Sequence, residues 1–277
     1  MFTVDPLGLL KTFAAWCTFR KSEGRYVFVC GAPRSGTTLL KAILENHSKT
    51  CGPDFESTVI FGKYDLYRDR TLSHIGLEDE TVRSILANSS DVVSLYDNIA
   101  EAVCESKGAS VFVDKQPWPP RWYRLRYTTA KFERARWVHL LRDGRDCYRS
   151  AQGHPYVPQS DNPGSFARYW KSQVENHESM IPESRKLTVR YEDLTRSPAT
   201  TTREIMSFVG LPYEPEQIDA SSRENYDEGE QGVHSRLREP ITDSSVGRWR
   251  QELDPEEVTN FHRYAADCLR RFGYKTS

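Results

Sequence analysis

The residues with the clearest chemical potential in this 277-residue chain are GAPRSGTT, residues 31–38. Gly31 and Gly36 let the backbone turn tightly and bring its N–H groups close to an anion. A helix opening at Thr37 and Thr38 adds unpaired N-terminal N–H groups and the positive end of its dipole. Arg34 places a full positive charge inside the loop, so the stretch reads as a phosphate cradle. A second anion clamp is written in LRDGRDCYRS, residues 141–150. There Arg142 leaves an apolar run, Gly144 permits a turn, and Ser150 follows Arg142 by eight residues, about two helical turns. An arginine and a hydroxyl so spaced can grip a phosphate through forked, charge-assisted hydrogen bonds.

Candidate proton-transfer groups lie between the two clamps. CGPDFESTVI, residues 51–60, carries Asp54 and Glu56. Both suit the start of a helix, where the dipole favours acidic side chains. Either also suits a general base beside the loop, because an attacking hydroxyl must give up its proton as the new bond forms. Glu56, with the longer reach, is preferred, and Asp54 stays as the alternative. Lys115 sits in DKQP directly after another apolar run, and the following PWPPRWYRLRY mixes arginines with aromatic rings suited to stacking on an acceptor. His47, His154, His177 and His234 form no HxH or HExxH pattern, so no metal site is expected.

These residues need a frame that puts them at common edges. Four short apolar runs, 26–30, 111–113, 137–141 and 187–189, have the branched and aromatic composition of buried parallel strands. Helical periodicity separates them at 38–46, 79–87, 92–106, 165–178 and 200–209. Such alternation predicts a three-layer α/β fold with a mostly parallel sheet flanked by helices. Ligands in such sheets sit beyond the carboxyl ends of the strands, and the chemically suggestive residues do follow the strands.

The length suits one domain, 1–277, with no boundary for a second. Residues 1–24 read as an N-terminal helical extension. Within it Leu7, Leu9, Leu10, Phe13, Trp16 and Phe19 make a weakly amphipathic pattern, interrupted by Lys11 and without a basic leader. A helix packed on the domain surface is preferred over an interfacial membrane contact through residues 1–20, and a signal peptide is not expected. The irregular, polar stretch 221–245 reads as a mobile loop able to close over a ligand. With 38 basic and 39 acidic residues, local clusters rather than a global field must hold any anion, and nucleic-acid binding is not expected. The six cysteines show no CxxC pair and read as mostly buried, reduced thiols of a cytoplasmic enzyme, with room for one disulfide.

The loop 31–38 has the glycine spacing of a Walker A loop, yet Thr37 stands where a P-loop NTPase has lysine. In that departure it resembles the 5′-phosphosulfate loop of the sulfotransferases that use 3′-phosphoadenosine 5′-phosphosulfate (PAPS). The branch of tyrosylprotein and many bacterial sulfotransferases, with arginine in PRSGTT, is the most similar. The resemblance implies a P-loop-like fold, a sulfuryl transfer from PAPS to a hydroxyl, and PAP as product without a metal. It assigns Arg34, Ser35, Gly36, Thr37 and Thr38 to the 5′ end of the nucleotide, and Arg142 and Ser150 to its 3′-phosphate. It further implies Glu56 as base and Lys115 as stabiliser of the leaving group. YED at 191–193 and SVGRW at 245–249 resemble later family segments, which adds Tyr191, Gly247 and Arg248 to the nucleotide site. The acceptor stays open among glycan, glycolipid, lipid alcohol, small metabolite and peptide tyrosine. Two other classes stay open as well: a P-loop kinase or NTPase using ATP, and a non-catalytic nucleotide-binding protein of the same fold.

Overall fold

A computed structural model describes residues 14, 16–54, 75–116, 122–154, 157, 159–221 and 235–276. Its centre is a five-stranded sheet in the order β2-β3-β1-β4-β5, with every pairing parallel. The strands are β1 (Tyr26–Cys30), β2 (Thr50–Cys51), β3 (Val111–Gln116), β4 (Arg136–Leu141) and β5 (Lys186–Arg190). Four of them fall on the apolar runs. The two-residue β2 is too short to carry a periodic signal, and it is defined only by pairing Thr50 with Val111 and Cys51 with Phe112.

Side-chain alternation divides the strands between two cores. Tyr26, Phe28, Phe112 and Trp137 pack with Val93, Tyr96 and Ile99 of α3 (Val92–Lys107) and with Phe132 beyond α4 (Trp122–Lys131). Val27, Val29, Val113, Val138 and Leu140 face Leu40, Ile43 and Leu44 of α1 (Thr37–Glu45) and Ile205 and Met206 of α8 (Pro198–Val209). Helices thus cover both faces, as the three-layer expectation requires. The helix α2 (Asp79–Asn88) packs outside α3.

A third cluster joins α5 (Gly144–Ala151), α6 (Pro163–Met180) and α10 (Pro255–Arg271) through Tyr148, Phe166, Trp170 and Phe261. The last helix is absent from the sequence reading, although its start is well written. Pro255 stands in the first turn, and Asp254 and Glu257 form a reciprocal capping box. Two short helices, α7 (Tyr191–Arg196) and α9 (Trp249–Glu252), complete the described chain.

The N-terminal extension is described only from residue 14, where Trp16 packs on Tyr127 at a centroid distance of 4.9 Å. Among the described residues, no helix is long and apolar enough to cross a membrane. Cys51 and Cys104 form the one disulfide for which the sequence left room, joining β2 to α3. Cys30, Cys147 and Cys268 remain free and buried, and Cys17 free and exposed. Because disulfides persist in oxidising compartments, the thiol argument for a cytoplasmic setting falls away.

Candidate active site

β1, β4 and β5 end at one edge of the sheet, and the residues after each of them line a single cleft. From the loop after β1 come Arg34, Gly36, Thr37 and Thr38; from the end of β4 and from α5 come Arg142 and Ser150; from the end of β5 comes Tyr191. Seven of the residues expected at the nucleotide site therefore share one wall-to-wall opening.

The loop is held in an unusual backbone path. Arg34 has φ 67° and Gly36 has φ 96°, and Arg34 is the only non-glycine residue with positive φ among those described. Such a conformation costs a branched or long side chain about 1 kcal/mol or more, so it marks a position fixed by its surroundings. Gly36 is also required by contact, because a Cβ there would lie 2.6 Å from the Tyr191 ring. Ser35 N–H donates to Ala32 O at 3.1 Å, which closes the turn, and Leu40 N–H donates to Gly36 O as α1 begins.

Arg142 ties the two clamps together. Its guanidinium lies 4.3 Å from the centroid of the Tyr191 ring and donates to Arg34 O at 2.9 Å and Ser245 O at 2.7 Å. Arg34 in turn donates from Nε to Ser150 Oγ at 3.2 Å, and its Nη1 lies 3.4 Å from His154 Nε2. Burial, and next the nearby Arg142 charge, push the Arg34 pKa below its ordinary value. The guanidinium does not lose its proton on that account, and the neighbouring positive charges of Arg34 and Arg142 favour an anion between them. Lys115 Nζ donates to Thr38 Oγ1 at 2.9 Å, so the expected leaving-group lysine sits against the first turn of α1. Among the described residues, two buried donors, Arg142 Nε at the cleft and Ser35 Oγ within the loop, have no hydrogen-bond partner. Buried polar groups are ordinarily satisfied, so the donor set fits an anionic ligand.

Other acidic and basic residues of the same segment do structural work. Asp146 accepts from Gly247 N at 2.7 Å and Trp249 N at 3.0 Å, which pins the late SVGRW segment beside α5. Arg145 is clamped on Asp143 through Nε at 3.0 Å and Nη2 at 2.8 Å, with its guanidinium 3.7 Å from the Trp249 ring centroid. Asp143 N–H donates to Glu192 Oε1 at 3.0 Å, and burial, its main cause, raises the Glu192 pKa. Of the residues expected here, Gly247 has φ 75° and gives its N–H to Asp146. Arg248 does not reach the cleft, because its guanidinium is bound to Glu252 at 2.6 and 3.0 Å.

Asp54 is exposed, 3.8 Å from Lys107, and does not line the cleft. Glu56 and Pro117 lie outside the described residues, as do residues 222–234 of the expected mobile loop. The rest of that loop is placed: Leu237, Glu239, Pro240, Ile241, Thr242, Ser244 and Ser245 form the far wall of the cleft. All seven belong to the stretch 221–245 read as able to close over a ligand, and Ser245 also opens the SVGRW segment tied to the nucleotide site. The others lack periodicity, and neither they nor His154 carry a motif that would have assigned them to the site. Asp146 was legible only as one more charge in RDGRD.

Residues 26–215 match the model of a sulfotransferase family. The chain is similar to protein-tyrosine sulfotransferase A of Caenorhabditis elegans, at 22% identity over 269 residues, 90% of this chain and 67% of that protein. Its fold is similar to the sulfotransferase domain of the Synechococcus PCC 7002 olefin synthase, with a TM-score of 0.67 at 19% identity over 93% of this chain and 98% of that one. A mouse sulfotransferase solved in complex with PAP aligns with a TM-score of 0.55 at 13% identity, over 98% of this chain and 96% of that one. With the matched model spanning more than half of its length, the chain belongs to the sulfotransferase family and is an enzyme of sulfuryl transfer.

Proposed function

We propose that the enzyme moves a sulfuryl group from PAPS to a hydroxyl acceptor, releasing PAP. The observation that carries this reading is the meeting of the two clamps, Arg34 to Ser150 at 3.2 Å and Arg142 to the Arg34 carbonyl at 2.9 Å, in one cleft. Residues 34–38 would hold the 5′ end of the nucleotide, and Arg142 and Ser150 its 3′-phosphate, with Tyr191 beside them. When bound, PAPS supplies the activated sulfuryl group. Arg34, Lys115 and the N-terminal N–H groups of α1 then neutralise charge developing toward the leaving phosphate. A sulfuryl group carries less negative charge than a phosphoryl group, so these fixed cations suffice without a metal clamp.

Glu56 is assigned the base that takes the acceptor's proton. The support is chemical and positional: a hydroxyl needs a carboxylate beside it, and Gly52 and Pro53, shortly before Glu56, lie against Glu45 and Lys41 of α1. The acceptor is a hydroxyl compound. The Caenorhabditis relative is named for protein tyrosine, and a screen for mass gain of one sulfuryl group identifies the compound used here.

The deciding experiment is metal-free thermal unfolding with PAP, in parallel with ATP plus Mg²⁺. A ligand that binds only the folded state raises the midpoint. PAP alone is expected to do so, whereas stabilisation by ATP and Mg²⁺ without any response to PAP would replace this reading with a P-loop NTPase. Glu56→Gln should slow transfer by about 10²–10⁴-fold with PAP affinity retained. If Asp54→Asn is the inactive variant and Glu56→Gln the active one, the base moves to Asp54.

A further inference from the structure

We infer that Lys41 is a positioning residue that ties the segment bearing the proposed base to the helix opening at the anion loop. The inference rests on the assignment of Glu56 given above, and it begins from a buried charge that the chemistry does not otherwise use. Lys41 is 1% exposed, yet its ammonium is fixed by two short hydrogen bonds, to Glu45 Oε2 at 2.7 Å and to Pro53 O at 2.7 Å. Thr37, Lys41 and Glu45 are spaced four residues apart on α1 and so share one face. That face therefore runs from the anion cradle at Thr37 to the backbone of residue 53, three residues before Glu56.

The neighbouring contacts show how closely this backbone is held. Lys107 Nζ donates to Gly52 O at 2.9 Å, and the Cys51–Cys104 disulfide fixes the residue before it. A Cβ at Gly52 would stand 1.9 Å from Glu45 Oε1 and 2.4 Å from Val113 O, so only glycine lets the chain pass between α1 and β3. A buried ion pair is a weak device for stability, because desolvation offsets its attraction and an apolar pair of similar size often does as well. It is a strong device for geometry, because both charges demand partners at defined positions. The Lys41 bond to Pro53 O is the direct link by which α1, whose first turn carries Thr37 and Thr38, sets where the base segment begins.

The test compares Lys41→Met, the double variant Lys41→Met/Glu45→Gln and Lys41→Arg with the parent enzyme. Hydrogen exchange of a peptide covering residues 50–60 reads the tether, kcat reads the chemistry, and the PAP-induced shift in unfolding midpoint reads the cradle. Loss of the tether should speed exchange about tenfold and lower kcat by about 10²-fold, the scale expected when a reacting group is misplaced by an ångström. The PAP-induced shift should stay within experimental error, and Lys41→Arg should recover part of the rate. Should Lys41→Met fail to fold because Glu45 is left buried and unpaired, the double variant, which buries no charge, carries the same readouts. Unchanged exchange in a folded variant overturns the inference, whatever happens to kcat. Faster exchange with unchanged kcat supports the tether and overturns the assignment of Glu56 instead.

Discussion

The two walls of the cleft are built in opposite ways. One is continuous: β1, the loop 31–38 and α1 follow one another in the chain, and their geometry is set by two glycines and a helix start. The other is assembled from the end of β4, from α5, from Tyr191 and from residues 237–249, which lie more than eighty positions beyond α5 in sequence. It is held by polar bonds between distant segments, chiefly Asp146 to Gly247 and Trp249, and Arg142 to Ser245. In the proposed reaction the continuous wall brings Arg34 and the α1 N–H groups to the reacting end of the donor. The assembled wall, with Arg142, brings grip and enclosure. On that proposal chemistry falls to the wall whose geometry short-range sequence enforces, and affinity to the wall that tertiary contacts hold.

Substitutions on the two sides should therefore fail differently. The largest effect is expected from Arg34→Ala, which removes the loop's only side-chain charge; kcat should fall by about 10²–10³-fold, as for loss of one transition-state donor. Steady-state kinetics showing the whole loss in KM would mean that Arg34 only binds, and would erase the contrast between the walls.

Asp146→Asn should act on the assembled side. It weakens two hydrogen bonds to a carboxylate, each of a class worth about 1.5–3 kcal/mol. Calorimetric titration should show PAP affinity down by roughly tenfold or more, with kcat at saturating donor nearly intact. An unchanged affinity would show that residues 247–249 stand in place without Asp146.

A smaller effect is expected from Tyr191→Leu, which removes the ring beneath Arg142. The stacking is of a kind worth about 0.5–2 kcal/mol, so PAP affinity should drop a few-fold, measurable by the same titration. A loss as large as that of Arg142→Ala would mean that the ring contacts the nucleotide directly.

The smallest effect on function should come from pH, through a polar group remote from the cleft. His139 and His177 are buried with rings 4.9 Å apart, and Glu178 lies 3.0 Å from His139. Burial lowers the pKa of both histidines, well below the ordinary value for His177, where the neighbouring His139 adds to it. The unfolded chain then takes up protons near pH 6.5 that the folded chain refuses, so stability should fall as pH drops below about 6.5. For Glu178, burial works upward, but the bonds from His139, Lys186 and Thr188 outweigh it and hold the carboxyl at about 2. Its contribution is present above the ordinary carboxylate range and is lost as pH falls toward that value. Unfolding midpoints across pH 7 to 5 should decline in the parent and decline less steeply in His177→Phe, with PAP affinity alike in both. Equal slopes would place the acid sensitivity elsewhere.

The sequence alone determined the frame and the continuous wall. Strand composition at 26–30, 111–113, 137–141 and 187–189 and helical periodicity between them define the α/β layering, because both patterns report burial that each segment needs wherever it packs. The cradle was legible for a related reason: a strand, glycines five residues apart and a helix start leave the backbone one way to turn. Arg142 and Ser150 were marked by their spacing and Tyr191 by resemblance to a family segment, and the fold brings all three to the cleft. Arg248 was also placed by resemblance, yet its side chain turns to Glu252, since a surface arginine takes whichever carboxylate is nearest in space. Only the tertiary structure decided the far wall, the contacts of Asp143 with Glu192, of Arg145 with Trp249 and of Asp146 with Gly247, the Cys51–Cys104 bond and the grip of Lys41 on Pro53. Each of these joins residues whose partners lie in other segments, and a contact closed across the fold leaves no periodicity in the chain that forms it.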